Sequence, residues 1–227
     1  MAKATKVILY ANPFGDCKGF TFDSVEQLEE RAAKLKARGC EEYEIEFHDG
    51  SKADAELFDW VAKRWRGPAD LSIYFDQVVG LNEHDKATLF ILLSHGIKLD
   101  LEDALQTVDD EARSFEGTNV DYAHELIDDI GIDGINNKEA YFDYETFGRD
   151  AKMDLDADSE DDAHYFDMTD EEYGEELVDS MGFDSLGKDL IARYFDYEKF
   201  ARDLDLGGDT IEYEFGGSTW VLTNPNL

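Results

Sequence analysis

The chain has 227 residues, 55 of them Asp or Glu against 21 Lys or Arg, for a formal net charge of −34. Self-repulsion at that density opposes compaction, but 42% of the residues are hydrophobic, 13% are aromatic and only three are proline, so a folded chain is expected. No run reaches the roughly 18 apolar residues of a membrane span, the N-terminus lacks a signal-peptide apolar stretch, and anionic lipid would repel the chain, so no membrane partner is expected.

The excess acid is uneven. Residues 1–66 hold 13 acids and 11 bases, whereas residues 67–227 hold 42 acids and 10 bases. Solubility alone needs only a moderate net charge. The asymmetry assigns the function to the C-terminal part.

In chain order, Lys6–Tyr10 predicts a buried strand that stops at the turn signal Asn12-Pro13. Phe20 and Phe22 flank Thr21 in a second strand. Ser24 with Gln27 has capping-box spacing, followed by an apolar stripe of Val25, Leu28, Ala32 and Leu35 and a stop at Gly39. Tyr43, Ile45 and Phe47 alternate with polar residues in a half-buried strand ending at Asp49-Gly50. A helix over Ala53–Trp65 ends at Gly67-Pro68, and segments 70–79, 83–95 and 101–108 predict short apolar helices around Tyr74, Phe75, Leu89, Phe90 and Leu93. Thr210–Phe215, Gly216-Gly217 and Ser218–Leu222 spell a hairpin.

Between these lies an internal repeat. Asp121–Gly131 (DYAHELIDDIG) matches Glu172–Gly182 (EYGEELVDSMG) at an offset of 51 residues. Tyr141–Asp150 (YFDYETFGRD) matches Tyr194–Asp203 (YFDYEKFARD) at an offset of 53. Two ordered blocks at nearly one offset mark a duplicated module, 118–155 and 169–208, with a two-residue insertion in the second copy. Each copy predicts an acidic amphipathic helix, a turn at the glycine, and a second helix capped by Asp143 or Asp196.

The expected class is α+β: an elongated, multi-domain chain with a small N-terminal α/β domain, then mainly helical acidic modules, then a β-hairpin. The expected domains are 1–66, 67–117, 118–168 (first module) and 169–227 (second module with the hairpin). Cys17 and Cys40 have no CxxC spacing and are read as reduced thiols of a cytoplasmic protein, a single disulfide being the alternative.

Catalytic motifs are lacking. His48, His84, His95, His124 and His164 share no pattern and are read as surface or structural residues; GxSxG, HExxH and GxxxxGK[ST] do not occur. Asp154, Asp156 and Asp158 copy the first three ligand positions of a calcium loop, but the sixth position is Ser159 rather than glycine and the twelfth is Tyr165 rather than an acid, so an acidic loop is the reading preferred. No carboxylate pair can be singled out for glycoside hydrolysis. The expectation is a non-enzyme without a cofactor.

The positive signal is the acids of the repeated helices. Asp121, Glu125, Asp128 and Asp129 share one face of the first helix, opposite Tyr122, Leu126 and Ile130. Asp170, Glu171, Glu172, Glu175, Glu176 and Asp179 do the same opposite Tyr173, Leu177 and Met181. Like charges at these spacings cost a few tenths of a kcal/mol per pair, and solvated faces normally mix signs. With Asp143, Glu145, Asp150, Asp196, Glu198, Asp203 and Asp205 of the second helices, they are the candidate partner-binding residues. Arg149 and Arg202, at the same place in each copy, are read as internal salt-bridge partners. B-DNA carries one charge per ~1.7 Å, so the 32 excess charges of residues 67–227 match roughly 16 base pairs of duplex. Such a surface suits a cationic DNA-binding groove by occupancy alone; an acidic binder of a basic nucleoid or regulatory protein is the rival reading.

The phrase Tyr194–Gly208 (YFDYEKFARDLDLGG) and its partner Tyr141–Asp150 resemble the Y-x-D-Y-x-x-x-[GA]-R-D-L signature of ArdA-type antirestriction proteins. Val7–Asn12 with Gly19–Phe22, Tyr43–Asp49, and Leu92–His95 with Leu101–Leu105 are similar to other segments of that family. The resemblance implies a three-domain, homodimeric mimic of bent DNA that blocks Type I restriction-modification enzymes in the host cytoplasm without binding nucleic acid itself. A CRISPR effector complex is the alternative defence target. The doubled terminal module departs from the family pattern.

Overall fold

A computed structural model describes residues 6–14, 16–63, 68–155 and 163–226. It is α+β, as expected: mostly helical, with two three-stranded antiparallel sheets among the described residues. By packing, the chain divides into two compact units, Met1–Thr118 with Gly208–Leu227, and Asn119–Gly207.

In the first unit, β1 (Ile8–Pro13) lies between β2 (Phe20–Phe22) and β3 (Tyr43–Asp49). β1 runs past the expected stop because Pro13 is its last residue, opposite Tyr43, where a missing N–H disturbs little of the ladder. Helix α1 (Val25–Lys36) starts where Ser24 Oγ accepts from Gln27 N at 3.3 Å, and buries Leu28 and Leu35. Cys17 and Cys40 form a disulfide, their Cα atoms 6.4 Å apart, which corrects the reduced-thiol reading. The reason is register: Cys17 follows the end of β1, Cys40 precedes the start of β3, and those two ends are paired. A spacing in sequence does not show this.

Helix α2 (Lys52–Ala62) opens with a capping box between Ser51 and Asp54; its expected continuation to Trp65 lies outside the described residues. Helix α3 (Pro68–Ile73) passes into a π-helical turn over Tyr74–Val78. Helices α4 (Glu83–Ser94) and α5 (Leu101–Asp110) are capped by Asn82 and Asp100. Apolar almost all round, α4 buries Ala87, Leu89, Ile91, Leu92 and Leu93, as a central helix must. It packs against α2, α5 and the second sheet, whose order is β4 (Ser114–Glu116), β6 (Ser218–Leu222), β5 (Ile211–Phe215). Strand β4 was not expected; three residues are too short to show a period of two. The β5–β6 turn has φ of +65° at Gly216 and +101° at Gly217, which suits a two-residue hairpin loop. One core runs from Leu9 and Phe22 through Leu57, Tyr74 and Leu92 to Trp220 and Leu222.

The second unit is the duplicated module. Its first copy holds α6 (Asn119–Ile130), turns Ile132–Gly134 and Lys138–Tyr141, and α7 (Tyr144–Lys152). The second holds α8 (Asp170–Met181), a turn Phe183–Ser185, α9 (Lys188–Arg193) and α10 (Tyr197–Gly207). Helix α9 stands where the second copy has its two extra residues. Gly131 and Gly182 end α6 and α8 with φ of +74° and +78°, a region that other residues enter only at a cost.

Candidate interaction surface

The two copies pack crosswise. Helix α7 of the first copy packs on α8 of the second, and α10 of the second packs on α6 of the first. Between them the Tyr-Phe-Asp-Tyr blocks meet: Phe142 and Phe195 form an antiparallel bridge, Asp143 N donates to Tyr194 O at 2.7 Å, and Asp196 N donates to Tyr141 O at 2.6 Å. Each bond repeats the other with the copies exchanged. The side chains follow the same rule. Phe142 meets Phe147 and Tyr144 edge-on, and Phe195 meets Phe200 and Tyr197 edge-on. Tyr194 Oη donates to Asp150 at 3.1 Å, and Tyr141 is hydrogen-bonded to Asp203.

Small residues set the helix spacing. At Gly148 a Cβ would overlap the Asp170 carbonyl oxygen and lie 2.7 Å from the Gly174 nitrogen; at Gly174 it would overlap the Tyr144 carbonyl oxygen. The α7–α8 contact therefore requires glycine on both helices. The equivalent positions on α10 and α6 are Ala201 and Ala123, both buried.

This arrangement turns the acids outward. Of the seventeen candidate partner-binding residues, thirteen are exposed: Asp121, Glu125, Asp128, Asp129, Glu145, Glu171, Glu172, Glu175, Glu176, Asp179, Glu198, Asp203 and Asp205. Two of these also bond within the unit, Glu172 in the capping box of α8 and Asp203 with Tyr141. The other four are half-buried and have internal work. Asp143 caps α7 by accepting from Thr146 N at 2.9 Å, and Asp196 caps α10 by accepting from Lys199 N at 2.8 Å. Asp150 accepts from Tyr194, and Asp170 pairs with Lys152 Nζ at 3.0 Å.

The unit carries 28 acids against seven bases, a net charge of −21. The four lysines bond within the unit. Lys152, largely buried, donates to Met168 O at 2.6 Å, pairs with Asp170 and lies 6.0 Å from the centre of the Tyr173 ring. Lys138 and Lys188, one from each copy, both pair with Asp133, and their bonds hold its carboxyl below the usual range. Lys199 caps the Ala140 carbonyl. Arg149 and Arg202 each pair with the acid that follows, at 3.7 and 3.9 Å on exposed surface; such pairs contribute little, and the aromatic blocks shape the module instead.

The tyrosine hydroxyls register the field. Burial pushes Tyr144 and Tyr197 up, and neighbouring carboxylates push them further: Glu139, Asp179 and Glu175 act on Tyr144, and Asp128 acts on Tyr197. Asp128 and Asp179 are equivalent positions, so each copy lays the same acid beside the other copy's tyrosine.

Sequence reading missed the glycine pair, Lys152 and the reciprocal tyrosine bonds. The recurrence of Tyr141, Tyr144, Tyr194 and Tyr197 within the repeat was the available signal. Of the proposed calcium loop, Asp156, Asp158 and Ser159 lie outside the described residues. Among the described residues no three His, Cys, Asp or Glu side chains are grouped to hold a metal ion, and no helix is long and apolar enough to cross a membrane. The histidines have structural partners: His124 stacks on Tyr197 at 3.6 Å and His84 meets Trp220 edge-on at 5.0 Å, for example.

Neither the curated proteins nor the solved structures contain a match to the chain. The sequence pattern of the ArdA antirestriction proteins matches residues 13–166, about two thirds of the chain, taking in the first unit from β2 through α5 and β4 and the whole first copy of the module. The chain therefore belongs to the ArdA family of antirestriction proteins.

Proposed function

We propose that the protein inhibits Type I restriction-modification enzymes by occupying their DNA-binding groove in place of duplex DNA, acting in the host cytoplasm and without catalysis. The observation that carries this reading is the predominance of exposed acids on both copies, with the four lysines of the unit bonded within it. Family membership supports the class of target. Carboxylates fixed on helices that are pinned by an aromatic core lose little freedom on binding, which favours recognition of a preformed cationic groove.

The test is competition. Fluorescence anisotropy of a labelled duplex bound to a purified Type I enzyme should fall as the protein is added, and the inhibition constant should weaken steeply as salt rises. Replacing Asp121, Glu125, Asp128 and Asp129 with lysine should weaken inhibition at least tenfold while circular dichroism stays unchanged. Undiminished inhibition by that folded variant removes the mimicry. Inhibition that does not respond to salt would remove it as well. Displacement of a guide-bound CRISPR complex from DNA, with no effect on the restriction enzyme, would transfer the mimicry to that target.

A further inference from the structure

Strand β3 is the longest described strand and stands at one edge of the first sheet, paired with β1 alone. Phe14 N donates to Glu42 O, and the pairing continues in the same register through Asn12–Glu44 and Tyr10–Glu46. Alternate residues of an antiparallel ladder bond inward. Glu44 and Glu46 therefore bond toward β1, and the N–H and C=O groups of Tyr43, Ile45 and Phe47 point to the open edge. No turn or loop bond among the described residues reaches those groups. Proteins blunt such edges with short strands, proline or inward charges. Strand β3 has none of these: its core-facing side chains are Tyr43, Ile45 and Phe47, each only half-buried. Helix α2 runs beside that row, with Phe58 6.0 Å from Phe47, ring to ring. Between β3 and the Phe58, Asp59 and Ala62 side of α2 lies a groove of about 670 Å³, within the ~300–1,000 Å³ of typical ligand sites. Its floor is apolar and its rims are acidic: Glu44 and Glu46 on β3 and Asp59 on α2 are all exposed. Lys63, its only basic lining residue among those described, lies 4.4 Å from the centre of the Trp60 ring.

We propose that the groove between β3 and α2 takes an extended segment of a partner protein, added to the sheet as a further strand, in which small apolar residues alternate with lysine or arginine. An open strand edge beside a helix is the geometry of recognition by strand addition, where main-chain bonds give affinity and alternate side chains give specificity. The free groups of Tyr43, Ile45 and Phe47 supply the main-chain bonds. The apolar side chains of the added strand lie over Phe58 and Ala62, and its basic ones stand beside Glu44 and Glu46 on the opposite face of the sheet. The charge selects the occupant. A second copy of β3 laid on the same edge would set Glu44 and Glu46 against their own kind, which disfavours pairing. A basic strand meets only opposite charge on both rims. This surface reads backbone and alternation, which the exposed acids of the second unit do not.

The experiment uses the full chain and two labelled synthetic nonapeptides of one composition, the first alternating lysine with valine, the second holding the same residues in two blocks. Salt of about 0.3 M NaCl screens the exposed acids, to which both peptides are attracted equally. Under that condition the alternating peptide should bind about tenfold or more tightly than the block peptide by fluorescence anisotropy. Hydrogen exchange at the amides of Tyr43, Ile45 and Phe47 should slow by about tenfold when it binds. Ile45→Pro removes the central free N–H, a change that an edge strand tolerates; it should abolish the preference for alternation with circular dichroism unchanged. Ala62→Arg narrows the groove from α2 without touching the ladder, should weaken the alternating peptide by about tenfold, and keeps the test decisive if the proline variant does not fold. Equal affinity for the two peptides, or unaltered exchange at the three amides, would overturn the proposal. Protection of those amides in the free protein, with a mass of twice 25.8 kDa, would overturn it as well and give the edge to a second copy. No readout involves the restriction enzyme, so this proposal and the proposed function fail independently.

Discussion

Substitution of Gly148 by alanine opposes two effects whose balance the geometry decides. In a helix interior alanine is favoured over glycine by about 1 kcal/mol. At Gly148 the added Cβ would overlap the Asp170 carbonyl oxygen and lie 2.7 Å from the Gly174 nitrogen, and both atoms are backbone. No side chain can turn away, so α7 and α8 must separate, loosening the Lys152–Asp170 pair with them. Overpacking costs typically about 1–3 kcal/mol, and a backbone obstacle belongs at or above the top of that range. The net expectation is a loss of about 2 kcal/mol. Gly80→Ala is the control, since nothing lies within 4 Å of a Cβ there and φ is ordinary; it should be neutral or slightly stabilising. All three tryptophans belong to the first unit by sequence position, so their fluorescence follows that unit during urea unfolding. Circular dichroism follows both units. With a slope of about 1–2 kcal/mol per molar urea for a module of this size, Gly148→Ala should move the second unit's midpoint down by roughly 1–2 M and leave the tryptophan transition in place. A midpoint equal to or above that of the unaltered protein would refute the close-packing argument.

Burial raises the Asp54 carboxyl, but its bonds from Lys86 at 2.6 Å and from Ser51 outweigh this and hold it below the ordinary value. A depressed folded-state pKa stabilises above the unfolded value near ~4 and is lost as pH falls through the folded one. The first unit should therefore lose stability below about pH 4, and Asp54→Asn should flatten that decline in urea midpoints measured from pH 6 to 2. The Cys17–Cys40 link closes a loop of sequence separation 23, so under oxidising conditions replacing both with serine should cost roughly 3 kcal/mol by chain entropy; with excess reductant the variant and the unaltered protein should have the same midpoint. Tyr141→Phe and Tyr194→Phe each remove a hydroxyl bonded to an acid of the other copy, and each should lower the second unit's stability by about 1 kcal/mol in urea titrations.

What could be read in the sequence was what depends on near neighbours. Ser24, Asp143 and Asp196 each cap a helix through a local bond, and the Gly216-Gly217 hairpin is likewise a two-residue property; Ser51, Asn82 and Asp100 cap their helices in the same way but were not singled out. The repeat was visible for the same reason: it compares the chain with itself. The cysteine pairing was not visible, because it depends on Pro13 lying opposite Tyr43, a long-range register. The crosswise packing was not visible either. Heptad-like spacing says that α6 and α7 each have an apolar face, but not which helix covers it. Gly148 and Gly174 read as weak points in helices, and their purpose shows only when the backbones are brought together. The sequence did not place the buried stripe of α6 either: Ile130 and Met181, set opposite the acids, are themselves exposed, and the residues that α6 buries are Ala123 and Ile127. It could not tell that Asp143, Asp150, Asp170 and Asp196 are taken up by caps, a tyrosine and a lysine.

The charge of the second unit bears on stability and on binding with opposite signs, and salt separates the two. A net −21 within 89 residues stores repulsion that nothing in the aromatic core offsets directly; the core merely outweighs it. Screening over about 10 Å at 0.1 M salt and about 3 Å at 1 M removes much of that repulsion among exposed acids. The few internal pairs, such as largely buried Lys152 with Asp170, are screened far less. Added salt should therefore raise the unfolding midpoint of the second unit. If the same acids are the surface that meets a cationic groove, added salt should at the same time weaken inhibition, because the attraction is screened by the same ions. Measured on one sample series from 0.05 to 0.5 M NaCl, thermal midpoint and inhibition constant should both increase. A protein whose stability falls with salt holds its acids in favourable pairs, and those acids would be structural and not a surface kept for a partner.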